Sequence, residues 1–239
     1  MQLPSLRRHG VHVSWHINLH DPAIKDTLAI GVPTLVVTGC SFITIAVMNT
    51  YALVAVPDQG SSIQYYARLW YTLPYSVLSI PVTTAMFTEL SSMYAKGDMD
   101  GFVGGLTKGV SNIVFMLVPF TLYLIVFAYP LMLLLRTGAF STQSAELTAY
   151  YLRYLAIALP AYGLVTYFQK VFSSMRHMML YALTHVIAAI LQIIFTMSLT
   201  QTLGIACVAL GSVLYSLTVD VVSYILLRHG LGHIGTRSI

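Results

Sequence analysis

Four ionisable side chains lie where the neighbouring sequence offers no water. Arg68 follows Tyr65-Tyr66, Arg153 follows Tyr150-Tyr151, and Glu89 and Asp220 fall inside apolar runs. A charge within a membrane helix costs about 2.5–3.5 kcal/mol on insertion scales, so it turns toward protein, a wet cavity or the interface. Two arginines among tyrosines make a cationic cavity mouth, suited to an anionic headgroup such as a phosphate. The plainer alternative is that both snorkel to the interface along a tyrosine belt. Tyr65, Tyr66, Arg68 and Arg153 are therefore the candidate substrate-binding residues. Glu89 is a helix-end charge or a coupling group, and Asp220, which lies deeper, is a protonated or paired acid with the same candidate role. Gln169, Lys170 and Gln192 read as inner-end or interhelical hydrogen-bonding groups.

Other chemistry finds little support. His9, His12, His16 and His20 nearly repeat at helical spacing, but no cysteine or close acid completes a metal site. An interfacial segment anchored by Trp15 fits them better. Cys40 and Cys207 both lie in apolar blocks and read as small core residues. No phosphate-binding glycine loop, zinc-protease motif or nucleophile elbow occurs, so no enzyme activity and no cofactor are expected. The formal charge of +4 is scattered over helix ends, without the basic run that nucleic acid requires.

The elements that must hold these residues follow from composition. Of 239 residues, 57% are hydrophobic and 8% charged, against about 25% charged in a soluble domain. Too few polar side chains exist to cover a water-facing surface. Crossing a bilayer takes about 20 residues of helix, and the backbone must satisfy its own polar groups there. The apolar blocks predict an all-α polytopic membrane protein with six transmembrane helices, near 27–56, 62–94, 108–135, 145–171, 178–200 and 204–228. Residues 1–26 would form a cytoplasmic or interfacial N-terminal segment, 27–228 the bundle, and 229–239 a cytoplasmic tail. With the N-terminus inside, the inner segments hold nine Lys and Arg and the outer ones only Arg136, as cytoplasmic retention of positive charge requires. Ala95 to Thr107 reads as a polar linker. Six of the nine prolines fall inside spans, where each removes a backbone hydrogen bond and favours a kink.

The stretch from Ile63 to Lys108 resembles the MurJ (MviN) family, the lipid II flippases of the MOP exporter superfamily. Its residues are Tyr65-Tyr66-Ala67-Arg68-Leu69, Leu73-Pro74-Tyr75-Ser76-Val77-Leu78, Thr88-Glu89-Leu90-Ser91 and Ala95-Lys96-Gly97-Asp98. Further on, Pro119, Gly138-Ala139-Phe140 and Gly163-Leu164-Val165 keep the family's order. The resemblance runs from Asp21-Pro22 to Arg228. There are departures: Thr88 stands for the family's proline, and Ser174 to Met179 lacks its R-x-D-x-x-T-P. Aligned without gaps on Tyr65 and Pro74, the family's cavity arginine falls on Leu69, one residue or about 100° from Arg68.

The resemblance implies a MOP-type bundle matching helices seven to twelve of fourteen, one lobe of a V-shaped pair. It further implies alternating access, with a lipid-linked anionic substrate meeting Arg68 and Arg153 between lobes. Pro74 and Pro81 would hinge the second span. The partners implied are bilayer lipids and a first lobe, in cis or in trans. Rival readings are another exporter of the superfamily, carrying a polysaccharide-lipid or a drug, and a non-transporting membrane scaffold. A drug exporter should show acids in its cavity, and here the candidates are mostly arginines.

Overall fold

The computed structural model describes residues 22–135 and 141–235. The histidine-rich segment through His20, Arg136 and Gly138-Ala139-Phe140 lie outside the described residues. Every regular element among the described residues is helical: α1 (Pro22–Ala55), α2 (Gly60–Pro74), a π-helical turn (Tyr75–Ser79), α3 (Ile80–Lys96), α4 (Met99–Leu133), α5 (Thr142–Ala156), α6 (Leu159–Ser174), α7 (Met178–Leu203) and α8 (Ile205–Gly235).

These helices fall into six consecutive passes. Four of them, α1 from Thr27, α4, α7 and α8, are each long and apolar enough to cross a membrane, and α5 with α6 form a fifth, broken by a 50° bend. The sixth is the path from α2 through the π turn to α3. It is less apolar because it carries Gln64, Arg68 and Glu89.

The prolines act where helices change course. Pro74 closes α2, its missing N–H falling just before the π turn, where the Ile80 N–H reaches back to the Tyr75 carbonyl. Pro160 sits in the first turn of α6, after the bend from α5, and Pro81 follows the π turn directly, at the second residue of α3. Pro33, Pro119 and Pro130 stay inside unbroken helices.

Two connections differ from the sequence expectation. Ala95 to Thr107 is not a linker. The chain turns on Gly97, in the left-handed conformation at φ 74°, and Asp98 accepts from the Gly101 N–H at 2.9 Å to start α4 at Met99. An N-cap carboxylate and the acid Asp100 in the first turn both favour this start. At the other end of the bundle, the turn after α1 is held by Ser144, whose hydroxyl donates to the Gln59 side-chain oxygen at 2.9 Å. That bond sets the α1–α2 turn beside the start of α5.

In lipid, helix pairing depends on close approach and polar bonds rather than on hydrophobic burial. The α7–α8 pair, the most extensive contact in the bundle, follows this rule. Ala188, Ala189 and Thr196 of α7 and Ala209, Gly211 and Ser216 of α8 are all buried. A methyl on Gly211 would come within 2.9 Å of the Thr196 hydroxyl. Outward residues such as Phe42, Phe115, Val126 and Ile194 are large and apolar.

Candidate functional site

The inward face of α2 recurs at helical spacing: Gly60, Ile63, Gln64, Ala67, Tyr71 and Pro74 are buried. Arg68 flanks this stripe and Leu69 faces outward, 43% exposed. Arg68 rather than Leu69 therefore borders the protein interior. The charge lies about 12 Å along the helix from Gly60 at 1.5 Å per residue.

Arg68 joins two depressions. One, about 150 Å³, lies inside the bundle and is walled by Ser41, Thr44, Tyr71, Tyr162, Tyr215 and Ser216 among others. The second opens toward the α1–α2 turn and includes Asn49, Ser62, Tyr65 and Tyr66. Among the described residues neither has a carboxylate in its lining, and Arg68 is the one charged side chain of both. Tyr71 and Tyr162 line the inner depression with it. One guanidinium among hydroxyl groups is the donor-rich setting that a phosphate oxygen needs.

The remaining sequence candidates divide. Tyr65, 63% exposed, and half-buried Tyr66 meet edge to face at 5.5 Å, on the same depression as Arg68. Arg153 does not join them. The buried face of α5 is Ala145, Thr148, Ala149, Leu152 and Leu155, which turns Arg153 outward into a separate depression with Tyr129, Gln143, Glu146 and Tyr150. The structure thus places the two arginines in separate openings rather than in one shared mouth, and the opening of Arg153 also holds the carboxylate of Glu146. Glu89 is exposed on α3, far along the bundle from Arg68. Pro74 and Pro81 bracket the π turn.

Asp220 is 8% exposed and both of its carboxylate oxygens lack a hydrogen-bond partner among the described residues. It belongs to a polar stripe on α8 that sequence reading missed: Ser212, Ser216, Asp220 and Ser223, spaced four, four and three. Ser212 and Ser216 line the Arg68 cavity, and Asp220 continues the stripe one turn beyond it. Beside the stripe, the His185 Nδ1 and Tyr215 hydroxyl are 2.6 Å apart, and Gln192 reaches the Met48 sulfur at 2.8 Å. The helical spacing of these small hydroxyl residues was the available signal.

The π turn is tied to the cavity wall. The Tyr75 hydroxyl lies 2.7 Å from the Thr166 hydroxyl, and its ring packs on Tyr162 at 4.7 Å. Tyr75→Phe is expected to lower stability by about 1 kcal/mol, the net value of one such bond. Denaturant unfolding in micelles measures it. Adding Thr166→Val to that variant should cost less than its effect alone, because the shared bond is already gone.

Comparison with known proteins fits this architecture. A protein of Borreliella burgdorferi named "Probable lipid II flippase MurJ" is 26% identical over 196 residues, 81% of this chain and 39% of its own length. A solved lipid II flippase MurJ in an inward closed conformation superposes with a TM-score of 0.73 at 19% identity, over 94% of this chain and 47% of that one. A solved MATE in complex with MaL6 gives 0.82 at 15% identity, over 98% of this chain and 53% of that one. The chain thus spans about two fifths of the curated relative and about half of each solved chain. The family described as Lipid II flippase MurJ matches residues 1–239 throughout, and the chain belongs to that family of multi-pass membrane transport proteins.

Proposed function

We propose that this chain forms one lobe of a flippase that carries a lipid-linked peptidoglycan precursor, lipid II, across the cytoplasmic membrane. The observation that carries the reading is Arg68, the sole charge among the described residues of two joined depressions otherwise walled by neutral side chains, in a chain of this family. The diphosphate of the cargo approaches Arg68 from the opening at Tyr65 and Tyr66. Arg153 makes a second cationic contact from its own opening. A first lobe, in cis or in trans, closes the cavity from the other side, and rocking of the lobes exposes the cargo alternately. Bending at the π turn between Pro74 and Pro81 moves the cavity wall, and Asp220, with Glu89 as the second candidate, couples the motion to an ion or to the membrane potential. Both ends of the chain are cytoplasmic in this arrangement, with 27–228 as the bundle between terminal segments 1–26 and 229–239.

The test is outward exposure of lipid II in cells depleted of their own flippase. The cells express this chain alone, with a candidate first lobe, or with that lobe and Arg68→Ala. Exposure restored by both halves and lost in the arginine variant is the expected result. No rescue in any combination, with the protein inserted and abundant, would favour the scaffold or another cargo.

A further inference from the structure

Polar atoms without partners gather on one seam of the bundle, between α7 and α8. Six of them are buried and unpartnered among the described residues: His185 Nε2, Gln192 Oε1, the Thr196 hydroxyl, both Asp220 carboxylate oxygens and the Ser223 hydroxyl. Such atoms cost free energy unless something satisfies them, and a seam that holds this many is a place for ordered water. Asp220 is also the only buried Asp, Glu, Lys or Arg among the described residues.

The two helices run antiparallel from the turn at Gly204. Cys207 meets Phe195, Gly211 meets Thr196 and Tyr215 meets His185. This register puts Asp220 level with the turn of α7 from Tyr181 to His185. The Tyr215 hydroxyl, 2.6 Å from the His185 Nδ1, belongs to a side chain that lines the Arg68 cavity. His185 therefore reaches the cavity wall through one ring nitrogen and keeps the other for the buried seam. An imidazole accepts a proton at one nitrogen and releases one from the other.

Tyr181 holds that ring in place. It packs edge-on against His185 at 4.6 Å, and its own hydroxyl is committed to the Val165 carbonyl at 2.7 Å. The other titratable groups around Tyr181 and Tyr215 are Asp220 itself, Tyr162 of α6, Tyr75 of the π turn and Cys40 of α1. Helix α5 presents Leu155 to the cavity, and Arg68 is the cavity's one cation among the described residues. No second acid competes with Asp220 for a proton there.

We infer that Asp220 exchanges a proton with the water of the Arg68 cavity through the Tyr215–His185 pair. Cavity water gives a proton to the Tyr215 oxygen as the hydroxyl hydrogen moves to His185 Nδ1. The hydrogen on Nε2 leaves, and ordered water in the seam carries it to a carboxylate oxygen of Asp220, which becomes the neutral acid. The reverse sequence returns the proton to the cavity. The use of this path in transport rests on the coupling role given to Asp220 above; the proton exchange itself does not.

The full chain in lipid nanodiscs, with no cargo added, provides the test. The infrared difference between the parent and Asp220→Asn isolates the protonated carboxyl band of Asp220. The shift of that band on transfer to heavy water measures how fast its proton exchanges. Tyr215→Phe keeps the ring and removes the hydroxyl, and it should slow the exchange about 10²-fold, the lower end of what a positioned acid–base group contributes. His185→Phe should slow it as much, and the double variant no further. Backbone amide exchange in α7 and α8 is the control, because a merely loosened fold would speed both exchanges rather than slow one. If His185→Phe unfolds, Tyr215→Phe alone decides. Absence of the carboxyl band wherever the chain is folded, or exchange at the parent rate in both variants, would overturn the inference. Exchange slowed by Ser216→Ala and not by Tyr215→Phe would overturn it in favour of a route along α8. Failure of lipid II rescue in cells, with this exchange intact, would strike the cargo and leave the proton path standing.

Discussion

Gly60→Ala is expected to destabilise the bundle by about 3 kcal/mol or more, although it adds a single methyl group. The added carbon would collide with the carbonyl of Ala52 and fall within 2.7 Å of the Leu53 nitrogen, both on the backbone of α1. A side chain can rotate away from such a contact, but a helix backbone cannot. The tight turn leaves no room either, because the Gly60 N–H already bonds the Val56 carbonyl at 2.9 Å. Relief requires α1 and α2 to part at the end nearest the Arg68 cavity, so binding should weaken along with stability. Gly104→Ala is the control. That glycine sits in α4 with nothing within 4 Å of an added methyl, and replacing it should stabilise the helix by up to about 1 kcal/mol. Unfolding of the two variants in micelles, followed by circular dichroism, should move in opposite directions. If Gly60→Ala unfolds like the parent chain, the close approach of α1 and α2 is not what closes this turn.

The same glycines explain where sequence reading succeeded and where it failed. The apolar blocks were legible because a bilayer imposes length and composition on each pass, whatever the neighbouring helices do. Ala95 to Thr107 was misread as a linker because Gly97, Gly101, Gly104 and Gly105 look alike in a sequence. They have separate roles. Gly97 takes a positive φ and ends α3. Gly105 lies inside α4, where a methyl would sit 3.1 Å from the Leu90 side chain. The Asp98 cap was the visible sign that a helix starts there, and it was outweighed by local polarity.

The site was half legible for a related reason. Arg68 with Tyr65 and Tyr66 is one stretch of one helix, so its grouping survives in the sequence. The remaining wall comes from α1, α5, α6, α7 and α8, and only the three-dimensional arrangement joins them. Arg153 shows the opposite failure. It resembles Arg68 in its tyrosine neighbours, but its helix buries a different face, so local likeness gave a false pairing. The polar stripe on α8 could have been found by counting fours along the segment, since hydroxyl groups recurring on one side of a membrane helix are there to meet other polar groups.

That stripe leads to the last expected result, which concerns Asp220. Burying a polar group without a partner costs about 1–3 kcal/mol in mutational data, and both oxygens of this carboxyl lack one among the described residues. Asp220→Leu is therefore expected to raise stability toward unfolding by about 1–3 kcal/mol, in a position where most substitutions lower it. In cells carrying both lobes it should nevertheless abolish lipid II exposure. Groups that weaken a fold are retained where function needs them, and Asp220 lies one turn beyond the cavity that Arg68 opens. Asp220→Glu keeps the acid and should recover part of the transport that Asp220→Leu loses. Asp220→Asn keeps the shape without the acid and should not. A structural role predicts the reverse order: Asp220→Leu would unfold more easily than the parent, and Asp220→Asn would transport better than Asp220→Glu. Stability and transport changing in opposite senses would identify Asp220 as a working group rather than a packing element.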